Sequence, residues 1–218
     1  MRLVTWNINS VRARLQNVDH FVETHNPDVL CFQETKVTDN EFPLKNFTEL
    51  GFEHQAIAGQ KSYNGVAIFS KIPFTQTETP LWCGKDDKRH ISVQFDNGTE
   101  LHNFYVPAGG DVPDPEQNEK FAHKLSFMQE MTAWFKERKS ADNKLILVGD
   151  LNVAPLENDV WSHKQLLKIV SHTPIEVEHL DAVMASHDWI DAMRHFVPDT
   201  ERLYSWWSYR SRDWKKAN

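Results

Sequence analysis

Three places in the 218-residue chain hold oxygen donors at the end of an apolar run. Asn7 follows LVTW, Glu34 follows DVLCFQ, and Asp150 and Asn152 follow LILVG. Side chains alternate along a strand, so Asp150 and Asn152 leave the last run on one side. If the three strands lie in neighbouring sheets and end together, they present two carboxylates and two carboxamides. That donor set suits Mg²⁺ or Mn²⁺ and not Zn²⁺. Mg²⁺ typically takes one or two carboxylates and leaves its other positions to water and substrate phosphate. The expected chemistry is hydrolysis of a phosphate ester, with Glu34 binding the metal and Asp150 free to orient or deprotonate a water. An Asp or Asn at a strand end is commonly a turn former bonded to its own backbone. No single position carries the reading; the joint pattern does.

The elements that must position these groups can be read from periodicity. LVTWNI at 3–8 reads as a strand. A helix follows, capped by Asn9 or Ser10, with Val11, Leu15, Val18 and Val22 on one face. It must stop before Asn26–Pro27, because proline disfavours helical geometry in the preceding residue. Residues 28–34 form a second apolar strand, giving a strand–helix–strand opening. GVAIFS at 65–70, ISVQF at 91–95 and ELHNFYV at 100–106 are short strands, the last two joined through Asn97-Gly98, a strong hairpin signal. PAGGDVPDP at 107–115 is a loop. A long helix carries Phe121, Leu125, Met128 and Phe135 on its buried stripe and leads into LILVGD, which reads as a strand buried on both faces. Thr173 caps a later helix with Pro174 at its first position. Glu176 and Glu178 in its first turn suit the helix dipole, and Leu180, Val183 and Met184 form its apolar face. No repeat or linker interrupts the chain, so a single domain over 1–218 is expected, with sheets covered by helices.

A net charge of −7 excludes a strongly basic binding module but leaves room for an enzyme that meets a polyanion through a local patch. Lys85, Lys88 and Arg89 form one basic cluster, read as solvated surface, and Arg202, Arg210, Arg212, Lys215 and Lys216 form another. Cys31 and Cys83 have no metal-ligand spacing, and Cys31 reads as a buried thiol. The start MRLVTWNIN has no signal-peptide pattern, and no apolar run reaches the ~20 residues of a membrane span. A soluble, cytoplasmic monomer away from membranes is the expectation. The five histidines from His163 to His195 have spacings that match no compact metal-ligand pattern.

TWNINSVRA, CFQETK, YNGVAIFSK, YVPAGG and VGDLNVAP occur in this order. Together they resemble the signature segments of the exonuclease III family of abasic-site endonucleases, within the endonuclease/exonuclease/phosphatase superfamily. The resemblance implies an α/β fold: a four-layer sandwich of two mixed β-sheets packed face to face, with helices outside and the site at one end. It implies Glu34 as principal metal ligand with Asn7 beside it, and Asp150 and Asn152 as both metal-site and catalytic residues. Asp150 would activate water or protonate the leaving group, and Asn152 would hydrogen-bond the phosphate or the water. Tyr105 would lie near the phosphate. Trp206 would wall the pocket for an extrahelical abasic sugar, and Trp207 is read as core. Lys36 is assigned to substrate binding, and the Asp191/Arg194 pair to support. The implied cofactor is Mg²⁺ or Mn²⁺, and the implied partner is double-stranded DNA with abasic sites or 3′ ends.

The chain departs from the family pattern at Ala108 and Asp111, which puts DNA contacts from that loop in question. It also lacks the family's closing late-strand aspartate and Ser-Asp-His segment. The expectation is a C-terminally incomplete enzyme, without its closing strands and weakly active or inactive as it stands. Two other readings remain: a phosphatase or phosphodiesterase acting on a small phosphorylated substrate, which inositol phosphates compared with duplex DNA would separate, and a non-catalytic DNA-binding remnant, whose binding would ignore Glu34→Ala.

Overall fold

The computed structural model describes residues 1–140, 144–206 and 209. The chain forms two compact units. Residues 1–107 and 138–152 make the first, and residues 108–137 and 153–218 the second. The chain passes between them several times, so no linker marks the division.

The first unit holds two four-stranded sheets. One contains β1 (Leu3–Asn7), β2 (Val29–Gln33), β3 (His54–Ala58) and β4 (Val66–Ser70) in the order β1-β2-β4-β3. The other runs in chain order through β5 (Phe74–Glu78), β6 (His90–Phe95), β7 (Thr99–Tyr105) and β8 (Lys144–Asp150). Each is mixed: β1 runs parallel to β2 and β7 parallel to β8, and the other pairings are antiparallel. The Asn97-Gly98 hairpin joins β6 to β7 as expected, with Gly98 N–H donating to the Phe95 carbonyl.

β2 is buried along its whole length, and its alternation feeds two cores. Leu30 and Phe32 pack outward with Val18 and Val22 of α1 (Leu15–His25) and Phe47 of α2 (Leu44–Glu49). Val29 and Cys31 pack inward, between the sheets, with Val66, Ile68, Ile91, Val93 and Leu101. Cys31 is the buried thiol the sequence suggested, and burial pushes its pKa up. α1 ends where expected, because Asn26 takes the left-handed conformation and its N–H closes on the Val22 carbonyl.

Three details differ from the sequence reading. Neither Asn9 nor Ser10 caps a helix: both have positive φ, and Val11 precedes a short 3₁₀ turn with no side-chain cap. β8 is half-buried rather than enclosed on both faces, since it ends the strand order of its sheet. β3, β5 and α2 carry too little apolar periodicity to be seen in advance.

The second unit contains α3 (Glu119–Glu137), α4 (His163–Leu166), α5 (Pro174–Ser186) and α6 (Ala192–Phe196). α3 buries Phe121, Leu125, Met128 and Phe135 as expected, together with Lys124. α5 begins with the expected Thr173 and Pro174, in a capping box closed by Glu176. Glu176 stands in the first turn as expected, its carboxylate accepting backbone N–H groups at the helix N-terminus. It is fully buried and pairs with Lys124. Asp191 caps α6, accepting from the Met193 and Arg194 N–H groups, and the Arg194 guanidinium pairs with Asp159.

Candidate active site

The inner faces of four strands change character along their length. β1 presents Leu3, Thr5 and Asn7; β2 presents Val29, Cys31 and Gln33; β7 presents Leu101, Asn103 and Tyr105; β8 presents Ile146, Val148 and Asp150. Each begins apolar and ends polar at the same end of the two-sheet unit, where Asn7, Glu34, Tyr105 and Asp150 meet.

Asn7 joins the sheets there. Its Nδ2 donates to Glu34 Oε1 at 2.8 Å and to Asp150 Oδ2 at 2.7 Å. Two carboxylates from different sheets therefore lie within reach of one amide group. Asn7 Oδ1 accepts from the Asn9 N–H at 3.1 Å, while the Asn9 side-chain oxygen, the acceptor a helix cap would use, takes the Lys36 ammonium.

Asp150 is aimed by the residues around it. Gly149 lies opposite Phe104 and Asp150 opposite Tyr105. Gly149 has φ +143°, and a Cβ there would sit 2.0 Å from the Phe104 carbonyl oxygen, so only glycine lets the strands approach. Beyond β8, Asn152 N–H donates to Asp150 Oδ1 at 3.1 Å and Asn152 Nδ2 to the Val106 carbonyl at 2.9 Å. The turn-forming role of a strand-end aspartate is thus real, and it leaves the carboxylate oriented.

Backbone strain gathers at the same place. Asn9, Ser10, Glu34, Lys36 and Asn152 all have positive φ. Asparagine tolerates that region, but glutamate and lysine do so at a cost of about 1–2 kcal/mol each. Glu34 and Lys36 are held there by the backbone: the Glu34 carbonyl accepts from Ser10 N–H at 2.7 Å, and Lys36 N–H donates to the Asn64 carbonyl at 2.9 Å. Gly65 leaves room for this turn, since a Cβ there would fall 2.1 Å from Thr35 Oγ1.

Lys36 Nζ lies 2.7 Å from Glu34 Oε2 and 2.5 Å from Asn9 Oδ1. Burial alone would raise the Glu34 pKa. Hydrogen bonds from Asn7 and Lys36, together with the Lys36 charge, outweigh it and hold the carboxyl below its ordinary value. Tyr105 moves the other way, because burial and then the negative charge of Glu34 push its phenol up. The phenol therefore stays protonated and can donate.

Asn7, Glu34, Lys36, Tyr105, Asp150 and Asn152 are brought together in the first unit. Trp206 belongs to the second unit, where its side chain is 73% exposed. Trp207, Arg210, Arg212, Lys215 and Lys216 lie outside the described residues. Asn9 and Arg89 were missed. Arg89 was read as solvated surface, yet it bonds Asp87 at 2.5 Å and lies over the Tyr105 ring, 4.8 Å from its centre. Position 89 directly precedes the β6 run, and that proximity was the available signal.

A two-sheet sandwich with carboxylates and amides gathered at the tips of both sheets fits a hydrolytic phosphodiesterase, the class the relatives bear out. The chain belongs to the endonuclease/exonuclease/phosphatase family, whose model matches residues 4–217. Within it, the chain falls among relatives of the exonuclease III and AP endonuclease type. It is 29% identical to an exodeoxyribonuclease of Bacillus subtilis, over 97% of this chain and 81% of that protein. It is 26% identical to exodeoxyribonuclease III of Haemophilus influenzae, over 97% of this chain and 82% of that protein. Among solved structures, an AP endonuclease from Archaeoglobus fulgidus superposes with a TM-score of 0.90 at 30% identity, covering 100% of this chain and 82% of that one. A 3′ phosphatase from Neisseria bound to product DNA hairpin gives 0.89 at 26% identity, over 100% and 82%. These matches bear out the expected α/β fold of two mixed sheets with helices.

Proposed function

We propose that this chain is a DNA repair nuclease that hydrolyses phosphodiesters of double-stranded DNA, cutting 5′ to abasic sites and trimming 3′ ends, with Mg²⁺ or Mn²⁺ as cofactor. The observation that carries the reading is the Asn7 amide held between Glu34 and Asp150. Two carboxylates this close repel unless positive charge lies between them. The donors are carboxylates and amides, without thiolate or imidazole, which fits a hard divalent cation. Glu34 and Asp150 would hold it, with Asn7 and Asn152 beside them. When bound, such a cation stabilises charge developing on the phosphate oxygens.

The remaining work falls to side chains of this chain. Asp150, fixed through both oxygens, takes the proton of a water attacking phosphorus in line with the leaving oxygen. Tyr105 keeps its proton and donates to a phosphate oxygen. Lys36 keeps Glu34 ionised and belongs to substrate binding through its place beside that carboxylate. Trp206 offers an exposed ring on which a base or a base-less nucleotide's neighbour can stack. The Cys31 thiol is buried and reduced, which suits a reducing cytoplasm, and we take the protein to act as a monomer.

The test is incubation of the chain with abasic-site duplex, with and without divalent cation, beside Glu34→Gln and Asp150→Asn. Weak cation-dependent incision, lost in both variants, is expected; incision insensitive to a chelator and to both substitutions would overturn the proposal. The Neisseria 3′ phosphatase favours a second use of the same site, removal of a 3′-phosphate from a DNA end. A 3′-phosphorylated duplex in the same assay separates the two activities.

A further inference from the structure

The facing surfaces of the two sheets are largely apolar, and apolar packing is non-directional. It holds the sheets together without fixing how far one has slid along the other. The site requires that registry, because Asn7 and Glu34 come from one sheet while Tyr105, Asp150 and Asn152 come from the other.

One polar layer separates the apolar interior from the site. Gln33 and Asn103 are 1% and 0% exposed. Gln33 Nε2 lies 2.6 Å from Asn103 Oδ1 and 3.1 Å from Thr5 Oγ1. Asn103 Nδ2 donates across the gap to the Phe32 and Ala67 carbonyls, both at 3.0 Å. These residues stand on β7 on one side and on β1, β2 and β4 on the other. A buried amide must find its partners, and hydrogen bonds weaken steeply with distance and angle. The layer is satisfied at one registry only.

Its position makes this matter. Gln33 directly precedes Glu34. Asn103 lies two residues before Tyr105 on the same face and opposite Val148, itself two before Asp150. We propose that Gln33 and Asn103 are positioning residues that lock the two sheets in register and thereby set the spacing of Glu34 and Asp150; the proposal rests on the nuclease reading of that site.

The experiment compares wild type, Asn103→Leu and Phe47→Leu. Leucine matches asparagine in size without its hydrogen bonds, and Phe47 lies in the outward-facing core, where its ring packs on Phe32 and Phe69 and supplies none of the layer's hydrogen bonds. Two quantities are read beside Tm: kcat and KM on abasic-site duplex, and the NMR signals of the Asn7 side-chain amide, which touches a carboxylate from each sheet. A misplacement of about 1 Å can cost ~10²-fold in rate. Asn103→Leu is expected to lower kcat about 10- to 100-fold, change KM less than about threefold and shift the Asn7 amide signals. Phe47→Leu is expected to lower Tm and leave kcat and the Asn7 signals unchanged. Wild-type kcat and Asn7 signals in folded Asn103→Leu would overturn the proposal, and so would equal changes in both variants. If Asn103→Leu does not fold, Asn103→Thr, which keeps one hydrogen-bonding group, is read the same way. An inactive wild type would count against the nuclease reading, and the Asn7 signals alone would then decide the positioning role: moved supports it, unmoved overturns it.

Discussion

Each unit contains a lysine–glutamate pair. In the second unit Lys124 and Glu176 are both fully buried, and Glu176 also accepts from Ser171 N–H, Thr173 N–H and the Thr173 hydroxyl. Every oxygen is engaged, the backbone is ordinary helix, and nothing remains to bind a ligand. In the first unit the Lys36 and Glu34 side chains keep 28% and 20% of their surface, and both residues occupy the left-handed backbone region. Glu34 is ionised, half-solvated and faces a second carboxylate across one amide. The same two residue types thus serve opposite ends. Fully buried, the one pair ties α3 to α5; partly exposed and on left-handed backbone, the other stands at the site we propose for a cation.

The comparison can be broken most sharply at Asp150. Asp150→Asn keeps shape and size, so folding should be intact while kcat falls ~10²–10⁴-fold, the usual loss for a positioned acid–base group. Steady-state assays with a thermal melt as control measure both. Next comes the buried pair. Glu176→Ala leaves Lys124 charged and without its carboxylate in the interior, and should cost about 3–5 kcal/mol in urea unfolding. Glu34→Gln should change stability by about 1 kcal/mol or less while removing cation binding. If Glu34→Gln proved the more destabilising, the contrast between the pairs would fail. Gly149→Ala comes third, at about 1–3 kcal/mol for the strained backbone plus the clash with Phe104, measured by the same unfolding curves.

The smallest effect is a pH shift. Glu34 is held below its ordinary value of 4.5. Its depressed pKa contributes stability that is present above the unfolded carboxyl value and lost as pH falls through the folded one. Lys36→Met removes both a hydrogen bond and a positive charge, so the Glu34 carboxyl should titrate at higher pH than in wild type. Carboxyl-carbon NMR titration reads this directly, and an unmoved or lowered value would show that Lys36 does not control Glu34.

Much of this was legible in the residues, and the limits have physical reasons. The ends of β1, β2 and β8 were visible because apolar runs stop at oxygen donors, and the β6–β7 hairpin because Asn-Gly suits its turn. β3 and β5 were not, since short strands with few apolar residues look like loops. Side-chain types alone could not reveal the left-handed backbone at Glu34 and Lys36, because glutamate and lysine rarely adopt it. Glu176 was read from its place in the first turn of α5. Its actual partner, Lys124, is 52 residues away, beyond any local pattern. The Gln33–Asn103 bridge spans 70 residues and was equally out of reach.

The most direct measurement is a Mn²⁺ titration followed by NMR of side-chain carboxyl and amide signals. With one equivalent of Mn²⁺, the Glu34 and Asp150 carboxyls and the Asn7 and Asn152 amides should broaden together, while Glu176 stays sharp. Broadening elsewhere with Glu34 and Asp150 untouched would contradict the account.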